Sequence, residues 1–125
     1  MIKEALTYND VLLEPQYSDI KSRSEVSIAS MLRGHGPTTH LSLPIIASPM
    51  DTVTEEDMGE AMWHHGGLSV VHRYNTIQRQ VEIVDKIVVG ANCNTAAAIG
   101  TTGDYLERAT ALYDAGARIL CVDVA

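Results

Sequence analysis

Cysteines, histidines and carboxylates are the groups best able to act as nucleophiles, proton carriers or metal ligands, and their spacing here narrows the chemistry before any element is assigned. Cys93, in the run Gly90-Ala91-Asn92-Cys93-Asn94-Thr95, lies among small residues beside polar groups. That setting suits either a reactive thiolate or an incidental loop thiol. Cys121 alternates with apolar neighbours and reads as a core residue. Two cysteines, neither with a Cys or His at the short spacing of a zinc site, argue against a disulfide framework and against a metal centre. Both are expected as reduced thiols.

The adjacent pair His64 and His65 would close a helix, where the dipole favours a cation, and neighbours on a helix point to different faces instead of converging on one metal. His72 and Arg73 follow an apolar run and would stand where a strand ends, open to a ligand contact or to a structural role. Asp51 either orients a loop or caps the helix after it. Asp123 follows Ile119-Leu120-Cys121-Val122, and a charge at the end of such a strand is costly unless it meets a ligand or a partner. It is the acid best placed for function. Lys21 and Arg23 read as solvated or interface charges.

The elements that must position these groups follow from pattern. Residues 1–42 read as an irregular leader, broken by Pro15, Gly34, Gly36 and Pro37. Leu43 to Ser48 is a short apolar run suited to a strand buried on both faces. Acids after Asp51-Thr52-Val53-Thr54 favour a helix from Glu55 to His65, ended by Gly66-Gly67 and followed by a strand at Leu68 to Val71. Thr76 opens a second helix, with Ile77, Val81 and Val84 on one face and an end near Asp85. Ile87-Val88-Val89 has strand character, but the small-residue run Ala96 to Gly100 is taken as the third strand. Thr101 to Asp104 then caps a helix to Ala115 with Leu106, Ala109, Leu112 and Tyr113 on one face, and Arg118 to Asp123 forms a fourth strand. Alternating short strands and helices imply parallel βα units, hence an α/β chain.

A chain of 125 residues with 46% hydrophobic content can bury a core. Its net charge of -7 and its lack of any basic run argue against nucleic acid and anionic membranes as partners. No apolar stretch approaches the roughly 20 residues of a membrane span, and the amino terminus has no basic flank ahead of an apolar run, so a cytoplasmic protein is expected. Eight βα units need about 250 residues, so four strands predict a truncated barrel with open edges.

Several strings resemble one family in order and spacing over nearly the whole chain: LTYNDVLLEPQYS (Leu6 to Ser18), SRSEV (Ser22 to Val26), LPIIASPMDTVTEEDM (Leu43 to Met58), GGLSVVHRYNTI (Gly66 to Ile77) and the segment from Ala96 to Ala125. They are similar to the amino-terminal half of the IMP dehydrogenase/GMP reductase family. The resemblance implies a partial TIM (βα)8 barrel, with residues 43–125 as its first half, from an enzyme that is a homotetramer when intact. It implies a purine nucleoside monophosphate as substrate and NAD as cofactor, or NADPH in a GMP reductase. A monovalent cation can join in the intact enzyme, its site not in this chain. By the same resemblance Ser48 and Met50 touch the purine nucleotide, Asp123 lies near the nicotinamide ribose, and Thr101 and Thr102 contact the cofactor in some members.

Two departures qualify what is implied. The regulatory CBS pair that many members insert between the second helix and the third strand has only Asp85 to Thr95 in its place, so no CBS domain is expected. The nucleophilic cysteine of the family, in a Gly-Ser-Ile-Cys-Thr type loop beyond the fourth strand, would begin after Ala125. In the dehydrogenase that thiolate adds to purine C2, hydride leaves to NAD, and water hydrolyses the covalent intermediate. The expectation is an amino-terminal fragment of an IMP dehydrogenase that is inactive alone, since Pro49 before Met50 and Val53-Thr54-Glu55 after it lean that way. GMP reductase is the runner-up, and a non-catalytic half-barrel that oligomerises or binds nucleotide is the third reading.

Overall fold

Pairing in the chain begins with a hairpin that is too short to show a strand period in sequence. In the computed structural model, which describes residues 4–33, 38–91 and 95–124, β1 (Ser30–Leu32) runs antiparallel to β2 (Thr39–Leu41). Leu41 is buried, and with the half-buried Leu32 it belongs to a cluster with Leu68, Val70, Ala96 and Ala98. The end of the leader thus contributes to the core. Residues 4–29 carry one short 3-10 turn, Arg23–Glu25, and are exposed throughout.

Parallel βα units follow: β3 (Ile46–Ala47), α1 (Glu56–His64), β4 (Leu68–Val71), α2 (Ile77–Ala91), β5 (Thr95–Ile99), α3 (Tyr105–Asp114) and β6 (Ala117–Val122). The four core strands pair in the order β3-β4-β5-β6, all parallel. Strand order that follows sequence without reversal is the winding of a βα barrel, whereas doubly wound sheets reverse at a switch point. The partial barrel expected from sequence is present. Among the described residues β3 and β6 have no outer neighbour in this sheet. No helix among them is long and apolar enough to cross a membrane.

Alternation along the strands sorts residues to two faces. Val71, Ala97 and Ile99 pack on Ile83, Val84, Ile87 and Leu112 of the helices, while Val70, Ala96 and Ala98 face the inner side with the hairpin. Ala96, Ala97 and Ala98 are fully buried, and their small size lets hairpin and helices approach from opposite sides. One irregularity decides the register of β6. Thr95 pairs with Ala117 but Ala96 pairs with Ile119, so Arg118 is an extra residue. The slip reverses the parity of β6. Ala117 packs on the helix side, Ile119 and Cys121 on the inner side, and the same alternation carries Asp123 inward. Cys121, read as core, is half-buried in the inner layer and is a free thiol.

Several boundaries differ from expectation. The second helix runs on to Ala91, so Ile87-Val88-Val89 is helical; Ile87 is buried against the helix-side cluster, and that tertiary packing overrides β-branched propensity. On α3 the buried residues are Arg108 and Leu112, whereas Leu106 and Tyr113 are exposed. The face chosen on apolar content was therefore rotated from the true one. Asp104 stands at the N-cap of α3 without making a capping bond, because its carboxylate turns to Arg108 instead. Thr76 does cap, accepting the Arg79 N–H at 3.2 Å. Asn92, Cys93 and Asn94 lie outside the described residues.

The first turn of α1 is joined to α2 by an acid at the favourable end of the dipole. Arg79 grips Glu56 with both terminal nitrogens, at 2.8 and 3.1 Å, and Lys86 reaches the same carboxylate at 3.0 Å. Burial acts to raise the Glu56 pKa, but the Arg79 and Lys86 hydrogen bonds outweigh it and hold the group down at about 2. The unfolded chain, with an ordinary carboxyl near 4.5, binds the proton first, so the contribution is complete above that pH and lost as pH falls towards 2. Urea unfolding of the parent and Glu56→Gln should differ by on the order of 1–2 kcal/mol at neutral pH. That gap should close between pH 4.5 and 2; a gap independent of pH would show that the ion pair contributes nothing.

Candidate functional site

In a parallel sheet every strand delivers its carboxyl end to the same rim, so the segments after β3, β4, β5 and β6 gather there. These are residues 48–55, 72–76, 100–104 and 123–124. Between them lie Ser48, Met50, Asp51, His72, Arg73, Thr101, Thr102 and Asp123, so the polar candidates read from sequence converge on one end of the sheet.

The loop after β3 folds on itself. Met50 N–H donates to the Ser48 carbonyl at 2.8 Å, Val53 and Thr54 N–H both donate to the Met50 carbonyl at 3.2 and 3.1 Å, and the buried Thr54 hydroxyl donates to the Ser48 carbonyl at 2.5 Å. Closing so tight a turn drives Thr52 to a φ of 59°, a left-handed conformation that is unfavourable for a β-branched residue. The outcome is display: Ser48 and Met50 are exposed, Met50 at 57%. A large apolar side chain held out at the rim offers an adaptable, polarizable contact for an aromatic ligand.

His72 ends β4 at 1% exposure. Its Nδ1 accepts the Tyr74 N–H at 3.2 Å, and its Nε2 lies 3.1 Å from Glu55 Oε1 and 3.9 Å from Asp51 Oδ1. These three side chains bring donor atoms within 4.8 Å of one another, as a cation site would require. The tautomer opposes that use: an Nδ1 that accepts a backbone N–H leaves the neutral ring protonated at Nε2, where a metal would have to bind. The cluster is a hydrogen-bonded link between β4 and the loop. Asp51, four residues ahead of the α1 N-cap Glu55, does not cap that helix.

Arg73 crosses the end of β5 to reach Asp123. Its Nε donates to the Asp123 carbonyl at 3.1 Å and stands 3.4 Å from Asp123 Oδ2, an ion pair without a hydrogen bond. Asp123 N–H continues the ladder to the Ile99 carbonyl at 2.9 Å. Among the described residues Oδ2 therefore remains a buried acceptor without a hydrogen-bond donor. Gly100 lies beneath the Arg73 guanidinium, where a Cβ would stand 3.5 Å from its terminal nitrogen. Thr101 and Thr102 are exposed in the adjoining bend. The geometry gives Arg73 an ion pair to the rim acid.

Beneath the rim is a buried polar network that the sequence reading missed. Gln80 donates to the carbonyls of Val71 at 3.2 Å and Ala98 at 2.9 Å, stitching β4 to β5. Arg108 donates to Gln80 Oε1 at 2.7 Å, to the Asn75 carbonyl at 3.1 Å and to Asp104 Oδ2 at 2.7 Å, and that last bond holds the Asp104 carboxyl below its ordinary value. A signal existed: Gln80 interrupts the apolar stripe of α2 at helical spacing from Ile77 and Val84.

The fold and its rim define a parallel βα barrel segment with a turn and an acid presented at the carboxyl ends of its strands. The IMP dehydrogenase / GMP reductase domain model matches residues 5–125, so the chain belongs to that family of oxidoreductases. Similar proteins include the inosine-5'-monophosphate dehydrogenase of Nitrosopumilus maritimus, 44% identical over 85 residues, or 68% of this chain and 17% of that protein. The GMP reductase of Leishmania donovani is 41% identical over 86 residues, covering 69% and 17%. The inosine-5'-monophosphate dehydrogenase of Staphylococcus haemolyticus is 36% identical over 116 residues, covering 92% and 22%. The matched part of the chain thus spans 17% to 22% of the length of these relatives.

Removing Arg108 would leave Gln80 Oε1 and the Asn75 carbonyl without their donor. Arg108→Ala should cost about 2–4 kcal/mol of unfolding free energy in urea. A loss under about 0.5 kcal/mol, the scale of an ordinary surface substitution, would show that the network does not stabilise the rim.

Proposed function

We propose that these residues form the nucleotide-holding first half of the barrel of an IMP dehydrogenase, which oxidises IMP to XMP with NAD. The observation that carries this reading is the rigid turn that displays Ser48 and Met50 at the rim. In the proposal Met50 packs on the purine and the Ser48 hydroxyl serves as a polar contact for the same nucleotide. The relatives named as IMP dehydrogenases support the choice.

The residues present suit the cofactor. Asp123 Oδ2 is a buried acceptor without a donor among the described residues, the chemistry that a ribose hydroxyl would satisfy, and the exposed hydroxyls of Thr101 and Thr102 stand on the loop from the neighbouring strand. Bound NAD supplies the hydride acceptor. Arg73 keeps Asp123 aimed by pairing with it. Cys121 packs in the inner layer and is not offered as the nucleophile. The cytoplasm and a homotetrameric intact enzyme belong to the same proposal.

GMP reductase, with NADPH, is the second reading, favoured by the Leishmania relative. Titration calorimetry with IMP tests the site. Met50→Ala should weaken binding roughly tenfold, the scale of one lost Met side-chain contact, while an exposed position should leave the melting temperature nearly unchanged. Equal affinity in the two proteins would remove Met50 from the site.

A further inference from the structure

We propose that His72 is a positioning residue for the turn that displays Ser48 and Met50, acting through Glu55 and never touching the nucleotide itself. The inference rests on the nucleotide-binding reading above. Its first support is the direction of the hydrogen bonds. Tyr74 N–H occupies Nδ1, so the buried ring presents its proton at Nε2 to Glu55 Oε1, 3.1 Å away. Its second support is the behaviour of Glu55. That residue is the N-cap of α1, yet its side chain makes no capping bond. The carboxylate faces His72, with Arg79 3.9 Å from its other oxygen.

The third support is mechanical. The hydrogen bonds given by Met50, Val53 and Thr54 all end on carbonyls within the turn, so they shape it without tying it to the sheet beyond β3. Thr52 at φ 59° makes that turn strained, and a strained segment persists only where its surroundings over-determine it. The link from His72 to Glu55 fastens the carboxyl end of the turn to β4, a strand paired on both sides. Since β4 is held rigidly between β3 and β5, the turn inherits a fixed height above the rim, and Met50 with it. A displacement of that contact surface of about 1 Å is enough to weaken a bound ligand markedly.

Two isosteres separate positioning from packing. The amide of Gln places its nitrogen near the histidine Nε2, whereas that of Asn places its oxygen near Nδ1. His72→Gln therefore keeps the donor to Glu55, and His72→Asn keeps only the acceptor for Tyr74. Hydrogen exchange of the Met50 to Thr54 amides without nucleotide reads the tether, and calorimetry with IMP reads its consequence. His72→Asn should speed that exchange and weaken IMP binding by roughly five- to tenfold. His72→Gln should stay within about twofold of the parent. Glu55→Ala should match His72→Asn, and the double variant should be no worse than either single one, because both remove one link.

Equal damage from His72→Gln and His72→Asn would assign His72 to core packing and overturn the proposal, as would strict additivity in the double variant. Unchanged exchange in His72→Asn would reject the tether. Failure of the unsubstituted chain to bind IMP would instead reject the nucleotide reading, so the two failures are read in different experiments.

Discussion

A parallel sheet must be covered on both faces, because its crossover connections leave no face for water, and the whole arrangement of this chain answers that demand. The helices cover one face through Ile83, Val84, Ile87 and Leu112, and the hairpin closes over part of the other through Leu32 and Leu41. Where those faces are covered, polar groups are expelled to the strand ends. The carboxyl ends receive most of them, and the candidate site is the result of that exclusion.

Polar groups crowded at a rim still have to be satisfied, and here they are satisfied by each other across neighbouring units. Gln80 joins β4 to β5, Arg108 joins the segment after β4 to the start of α3, Arg73 joins the end of β4 to Asp123, and His72 joins β4 to the turn after β3. Each bond spans a junction between βα units, and that of Arg73 reaches across β5 to the strand beyond it. Such links couple the rim to the rigid sheet, which is what a binding surface requires if its shape is to be set before the ligand arrives. Asp123 Oδ2 and the side-chain amide of Asn75 are exceptions, buried without a hydrogen-bond partner among the described residues.

The bulge between β5 and β6 shows how a local event sets a functional orientation. Had β6 kept the register of Thr95 with Ala117, the alternation would have placed Asp123 on the helix side of the sheet. One extra residue, Arg118, turns Ile119, Cys121 and Asp123 to the inner side together. Nothing in the string Ala117 to Asp123 marks that insertion. It arises from pairing with β5.

The sequence by itself determined the α/β class, the approximate places of β4, β5, β6 and the start of each helix, and the family, because apolar runs, glycine stops and motif strings are local properties. It also put Ser48 and Asp123 at strand ends, since a polar residue directly after an apolar run carries that information. Only the tertiary structure decided the length of α2, the buried face of α3, the pairing of β1 with β2, the parity of β6 and the partners of His72, Arg73 and Arg108. Those depend on what packs opposite a residue, and Arg73 meets Asp123 across 50 positions of chain. No local window contains both members of such a pair, so its chemistry exists only after the sheet has formed.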